Sequence, residues 1–98
     1  MHLVEPTDFK ILDAFEDGKR NIGANIAAEI DADRGYVNSR LRSLEDYNLL
    51  ERVGPINNSG LYVITSKGQF VLEHRNIYQN NDVDFDSFVN KKFNQEVI

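Results

Sequence analysis

Asp33-Arg-Gly-Tyr-Val-Asn-Ser-Arg-Leu-Arg-Ser-Leu-Glu-Asp-Tyr-Asn-Leu-Leu50 is the stretch whose reading decides the rest of the chain. Val37, Leu41 and Leu44 fall at i, i+4 and i+7, one apolar stripe of an amphipathic helix. At about 100° per residue, Gly35, Asn38, Ser39, Arg42, Ser43 and Asp46 lie on the other side. Asp33 offers a side-chain oxygen to the free N–H groups of the first turn. Asn48 suits the left-handed conformation that ends a helix, which returns Leu49 and Leu50 to the core. A helix over 33–47 with an apolar back and a Ser/Asn/Arg front, followed at once by a strand, is the form a DNA-reading helix takes. A surface helix with a merely solvated polar face has the same pattern, so the flanking segments decide.

Ninety-eight residues make one small domain with a modest core. With no cysteine, disulfides and thiolate metal sites are excluded, and His2 and His74 are too few and too far apart for a zinc site. No basic-then-apolar leader and no long apolar run occur, so neither export nor a membrane partner is expected, and the cytoplasm is the expected location. The Asn57-Asn58-Ser59 sequon is accordingly read as accidental. Net charge is −5, which by itself argues against nucleic acid. Its distribution argues otherwise: residues 1–33 carry −5, residues 34–75 carry +2, and residues 76–98 carry −2. The segment that holds the amphipathic stretch is the only positive one.

Upstream, Met1 to Pro6 reads as a loose arm. Thr7 is expected to cap a first helix, with Asp8 in its first turn facing the positive helix end. Phe9, Ile11, Leu12 and Phe15 give a buried stripe, and Gly18 stops it. Lys19-Arg20-Asn21 reads as a polar turn. Ile22, Ile26, Ala27 and Ile30 predict a second short helix, and the alanines at 24, 27 and 28 allow close approach of another. Asp31-Ala32 then makes the tight turn into the helix at 33, which completes a helix-turn-helix.

Downstream, Leu50-Glu-Arg-Val53 and Leu61-Tyr-Val-Ile64 have strand character, and the turn formers of Gly54-Pro-Ile-Asn-Asn-Ser-Gly60 lie between them. Together they predict a β-hairpin, a wing. Thr65 is expected to cap a fourth helix that buries Phe70, Val71 and His74. The predicted fold is mainly α with a small β-hairpin (α+β), a winged helix-turn-helix of order α-α-α-β-β-α plus a C-terminal helix. Residues 1–75 would form the DNA-binding domain, and residues 76–98 a linker and an amphipathic helix.

In that last segment Phe85, Phe88, Val89, Phe93 and Val97 stand at helical spacing. Such a stripe is not expected to remain in water. It can fold back on its own domain, pair with a second copy, or stay disordered. One winged domain makes few phosphate contacts, and two linked copies on a palindrome gain affinity without new contacts. A homodimer held by Phe85, Phe88, Val89 and Phe93 is therefore the expectation.

The segments Asp8-Phe-Lys-Ile-Leu12, Ile26-Ala-Ala-Glu-Ile-Asp31, Tyr36-Val-Asn-Ser-Arg-Leu41, Leu44-Glu-Asp-Tyr-Asn-Leu-Leu-Glu-Arg-Val53 and Gly60-Leu-Tyr-Val-Ile-Thr-Ser-Lys-Gly68 resemble winged-helix regulators similar to the phage phi-H repressor of halophilic archaea. The likeness runs from residue 8 to about 75, and its motifs are shared with many bacterial and archaeal winged-helix repressors. The resemblance implies double-stranded DNA binding and transcriptional repression, usually by a dimer. Two positions depart from the family pattern. Asn48 stands where the family has Gly, and residues 54–60 carry no basic side chain where its wing commonly has Arg.

No enzyme reading survives: the chain has no glycine-rich phosphate loop, no cysteine nucleophile and no metal-ligand spacing. Asp82, Asp84 and Asp86 alternate like a calcium-loop fragment but lack its Gly and closing Glu. No cofactor is expected. For a repressor, Arg42 and Asn38 would read bases, Ser39 and Arg34 would serve phosphates or nearby base edges, and Gly35 would keep the bulk low at the DNA-facing start of the helix. Arg40 lies on the flank with Tyr36 and Tyr47, where a phosphate or a structural bond is open to it. Asn57 and Asn58 could hydrogen-bond phosphates from the wing. The competing reading is a protein-interaction module that docks through the wing or the C-terminal phenylalanines. The acidic charge and neutral wing favour it, and the Ser/Asn/Arg face disfavours it.

Overall fold

The computed structural model describes residues 1–54 and 60–93. Asn57, Asn58, Ser59 and Val97 lie outside the described residues, and with them the expected wing contacts and the end of the C-terminal stripe. The elements run α1 (Thr7–Ala14), β1 (Asn21–Ile22), α2 (Gly23–Ile30), α3 (Arg34–Asp46), β2 (Leu50–Val53), β3 (Leu61–Ile64), α4 (Ser66–Glu73), α5 (Arg75–Tyr78) and α6 (Phe85–Phe93). This is the predicted winged helix, mainly helical with a small antiparallel sheet.

The end of α3 forms as its sequence dictates. Asn48 has φ 64°, the N–H of Asn48 bonds the Glu45 carbonyl at 2.8 Å, and that of Leu49 bonds Leu44 at 2.9 Å. That pair of bonds is the Schellman closure, and it drives Leu49 into the core. Asp31, with φ 57°, ends α2 similarly, and the Ala32 N–H reaches the Ala27 carbonyl at 2.9 Å.

The sheet has one strand more than the predicted hairpin. Its order is β1-β3-β2, with Asn21 opposite Tyr62 and Ile22 opposite Leu61. The supposed polar turn before α2 therefore ends in a two-residue strand, and Ile22 is exposed rather than part of the α2 stripe. Two residues are too short for period-two alternation to show.

α4 sits close under the start of β2. The Thr65 hydroxyl accepts from the Gly68 N–H at 2.9 Å and bonds the Asn48 carbonyl at 2.7 Å. A Cβ on Gly68 would lie 2.2 Å from the Leu49 carbonyl oxygen, so this helix approaches the backbone at a distance only glycine permits. The Thr-x-x-Gly spacing thus couples a cap to a close contact.

Other sequence expectations also need correction. Thr7 is the first residue of α1 rather than its cap, and no side chain caps that end. The arm is not loose, because Leu3 is buried and hydrogen bonds hold residues 2–4. The core also continues past residue 75: Phe85 and Val89 belong to the same cluster as Leu3, Phe9, Val71 and Leu72. The Tyr78 and Phe85 rings meet edge-on at 5.1 Å, and Phe88 and Phe93 each lie 5.5 Å from Phe70. The stripe expected to pair with a second copy thus packs on its own domain, because α5 turns the chain back and brings α6 onto α4.

Candidate nucleic-acid interface

Three features hold α3 in place. Asp33 caps it, its Oδ2 accepting from the Tyr36 N–H at 2.9 Å. Val37, Leu41 and Leu44 are all buried, as the stripe requires. On the flank, Arg40 donates to Asp8 through Nε (2.9 Å to Oδ1) and Nη2 (2.8 Å to Oδ2). The hydrogen bond to Asp8 raises the Arg40 pKa above its ordinary value, against the opposing effect of burial. Of the two jobs open to Arg40, the structure has the structural bond. That bond engages Nε and Nη2 of the guanidinium.

The opposite face carries the predicted reading residues. Arg34, Gly35, Ser39 and Arg42 are exposed, and Asn38 is half-buried. Among the described residues neither Arg34 nor Arg42 forms an ion pair, Asp46 at i+4 from Arg42 included. The Asn38 carboxamide lies against Gly23, where a Cβ would stand 1.9 Å from its Oδ1. Asn38 therefore also sets how closely α2 and α3 approach.

Arg34, Asn38 and Arg42 line a concavity of about 310 Å³, together with Gly23, Arg52 and Tyr62. Sequence reasoning left Arg52 out of the site. Its Nη2 donates to the Tyr62 hydroxyl at 2.8 Å and to Glu45 Oε1 at 3.0 Å, and its guanidinium carbon lies 5.3 Å from the Tyr62 ring centre. Burial opposes its charge, but Tyr62 and Glu45 outweigh it and its pKa is raised. The signal was present in β2: Arg52 stands two residues from the buried Leu50 and so shares its inner side of the strand.

The face that results is shallow, polar and cationic, on a chain that is acidic elsewhere. Among the described residues no helix is long and apolar enough to cross a membrane, and no group of three or more His, Cys, Asp or Glu side chains could hold a metal ion.

The sequence matches no protein-family model, and comparison with curated proteins likewise gives no match. Solved structures do match. The oxidised form of MarR from E. coli is similar with TM-score 0.62 and 20% identity, over 91% of this chain and 63% of that one. A mutant of Lactococcus lactis ZitR is similar with TM-score 0.63 and 18% identity, over 93% of this chain and 63% of that one. The reduced form of E. coli MarR gives 0.61 and 19%, over 92% and 66%. The chain thus spans just under two-thirds of the length of these structures. The likeness is one of fold: this chain has the winged-helix architecture of MarR and ZitR.

Proposed function

We propose that the protein is a sequence-specific double-stranded DNA-binding transcriptional regulator, a repressor, that reads the major groove with α3. One observation carries the reading. Among the described residues Arg34 and Arg42 form no ion pair, and they stand exposed on the outward face of a capped helix with a buried back, beside a concavity shared with Arg52. Arg pairs two-pronged with guanine in the major groove, and Asn pairs with adenine. Ser39 and Gly35 keep the bulk low where the helix side meets the base edges. The likeness in fold to MarR and ZitR, whose structures place the same architecture in longer chains, is consistent with this role.

The regulator acts in the cytoplasm as a homodimer on a two-fold operator, since two linked copies gain about 10²–10⁴ in affinity over one. Phe85 and Val89 are committed to the core of their own chain. Phe88 and Phe93 of α6 pack on Phe70 of α4 in their own chain but stay half-buried, so their outer edges are what α6 offers a second copy. Narrower membership among the phi-H-like repressors rests on the sequence resemblance alone.

Selection from a random duplex library, followed by binding of the enriched sequence across a salt series, tests the reading. A defined half-site motif whose affinity falls steeply with salt is expected. Enrichment of no motif would support the protein-interaction alternative.

A further inference from the structure

Residues 2–4 are held in an unusual way. Among the described residues they pair with no strand, yet each backbone N–H is taken by a side chain in or at the end of a different helix. The Tyr47 hydroxyl, at the end of α3, accepts from the His2 N–H at 3.0 Å and donates to the His2 carbonyl at 3.2 Å. The Tyr78 hydroxyl of α5 does the same for Leu3, at 3.0 Å in each direction. The Val4 N–H donates to Asp8 Oδ2 at 2.7 Å, and Asp8 in turn grips Arg40 of α3. The Leu3 side chain is 2% exposed, so these bonds lie at the edge of the core. A hydroxyl has one proton and two lone pairs; accepting one bond and donating another fits both backbone groups of one residue.

We infer that Tyr47 and Tyr78 are positioning residues for α3, and that residues 2–4 are a strap coupling its orientation to the docking of α5 and α6. α3 is tied to the strap at two points, Tyr47 directly and Arg40 through Asp8. Turning α3 about its axis, which would redirect Arg34 and Arg42, carries the Tyr47 hydroxyl away from His2. At the other end, the Tyr78 ring packs on Phe9 at 5.7 Å and on Phe85 at 5.1 Å, so the strap registers where α6 sits. Apolar contacts alone would let the helix slide; paired hydrogen bonds are directional and resist it. The consequence for DNA rests on the regulator reading proposed above, whereas the coupling itself does not.

The test is Tyr78→Phe in the full chain, a change of one oxygen atom on an element outside α3. Amide hydrogen exchange in residues 43–47 is expected to rise about fivefold to tenfold, the worth of a lost hydrogen bond or two. Affinity for the selected operator should fall by a similar factor, with binding to unrelated duplex at the same salt unchanged. Tyr47→Phe should do the same, and the double variant should add little, because one break already frees the strap. Ile64→Val, which trims the core at a residue that is not one of the strap's hydrogen-bond partners, should keep the ratio of specific to non-specific affinity. Unchanged exchange in residues 43–47 of Tyr78→Phe, or fully additive effects in the double variant, would overturn the inference. If the wild-type chain binds no DNA, the exchange measurement still decides the coupling, so the two failures are distinguishable.

Discussion

Arg40 of α3 and Asp8 of α1 meet in a two-pronged ion pair, with Nε–Oδ1 2.9 Å, Nη2–Oδ2 2.8 Å and the carboxylate fully buried. The Val4 N–H supplies a third donor to that carboxylate, so its charge is well satisfied away from water. Removing one partner of such a pair leaves the other charge stranded. Arg40→Ala is therefore expected to destabilise the chain by about 3–5 kcal/mol, read from the shift in a urea unfolding midpoint. Arg40→Lys keeps the charge but loses the fork, and should fall between that variant and wild type.

Leu41 is the neighbour of Arg40 in sequence and its opposite in placement, 1% exposed on the back of α3. Leu41→Ala should cost about 2–5 kcal/mol through the cavity it opens. An unaltered thermal midpoint in that variant would contradict the packing of α3.

Gly68 faces the Leu49 carbonyl at a distance no Cβ tolerates. Gly68→Ala must push α4 off the start of β2, and is expected to destabilise by about 1–3 kcal/mol even though alanine is the better helix former. Calorimetry should show the lowered midpoint; a gain in stability would mean the contact relaxes without strain.

Phe85 distinguishes a core helix from a dimer arm, being 6% exposed in a single chain. Phe85→Ala is expected to cost about 3–5 kcal/mol irrespective of protein concentration. A loss that appears only as weakened self-association, with monomer stability intact, would return Phe85 to the interface.

The helix ends and the back of α3 were legible because local chemistry governs them: Asp33 at the cap, Asn48 at the left-handed stop, and apolar spacing between. Thr65 was legible for the same reason. Tertiary pairing was not. β1 is two residues long and exists only because β3 offers it an edge. Asp8 looks like a helix-dipole residue, and only the fold reveals that Arg40 meets it across 32 residues of chain. The phenylalanines of α6 announced that they would be covered without announcing by what, since periodicity fixes a buried face and not its partner. Arg34, Gly35, Ser39 and Arg42 did fall together on one open face, because all four sit on a single helix whose opposite side was unambiguous.

The measurement that bears most directly on the central claim is the salt dependence of operator binding for wild type and Arg42→Ala. Arg42 faces outward, so the fold should hold while specific affinity drops by about 1–3 kcal/mol and preference relaxes at one base pair. If Arg34 serves a phosphate in the proposed complex, Arg34→Ala should weaken all sequences alike and reduce the salt slope by about 1. Arg42→Ala binding the operator as tightly as wild type, with the same sequence preference, would contradict the assignment of α3 as the reading helix.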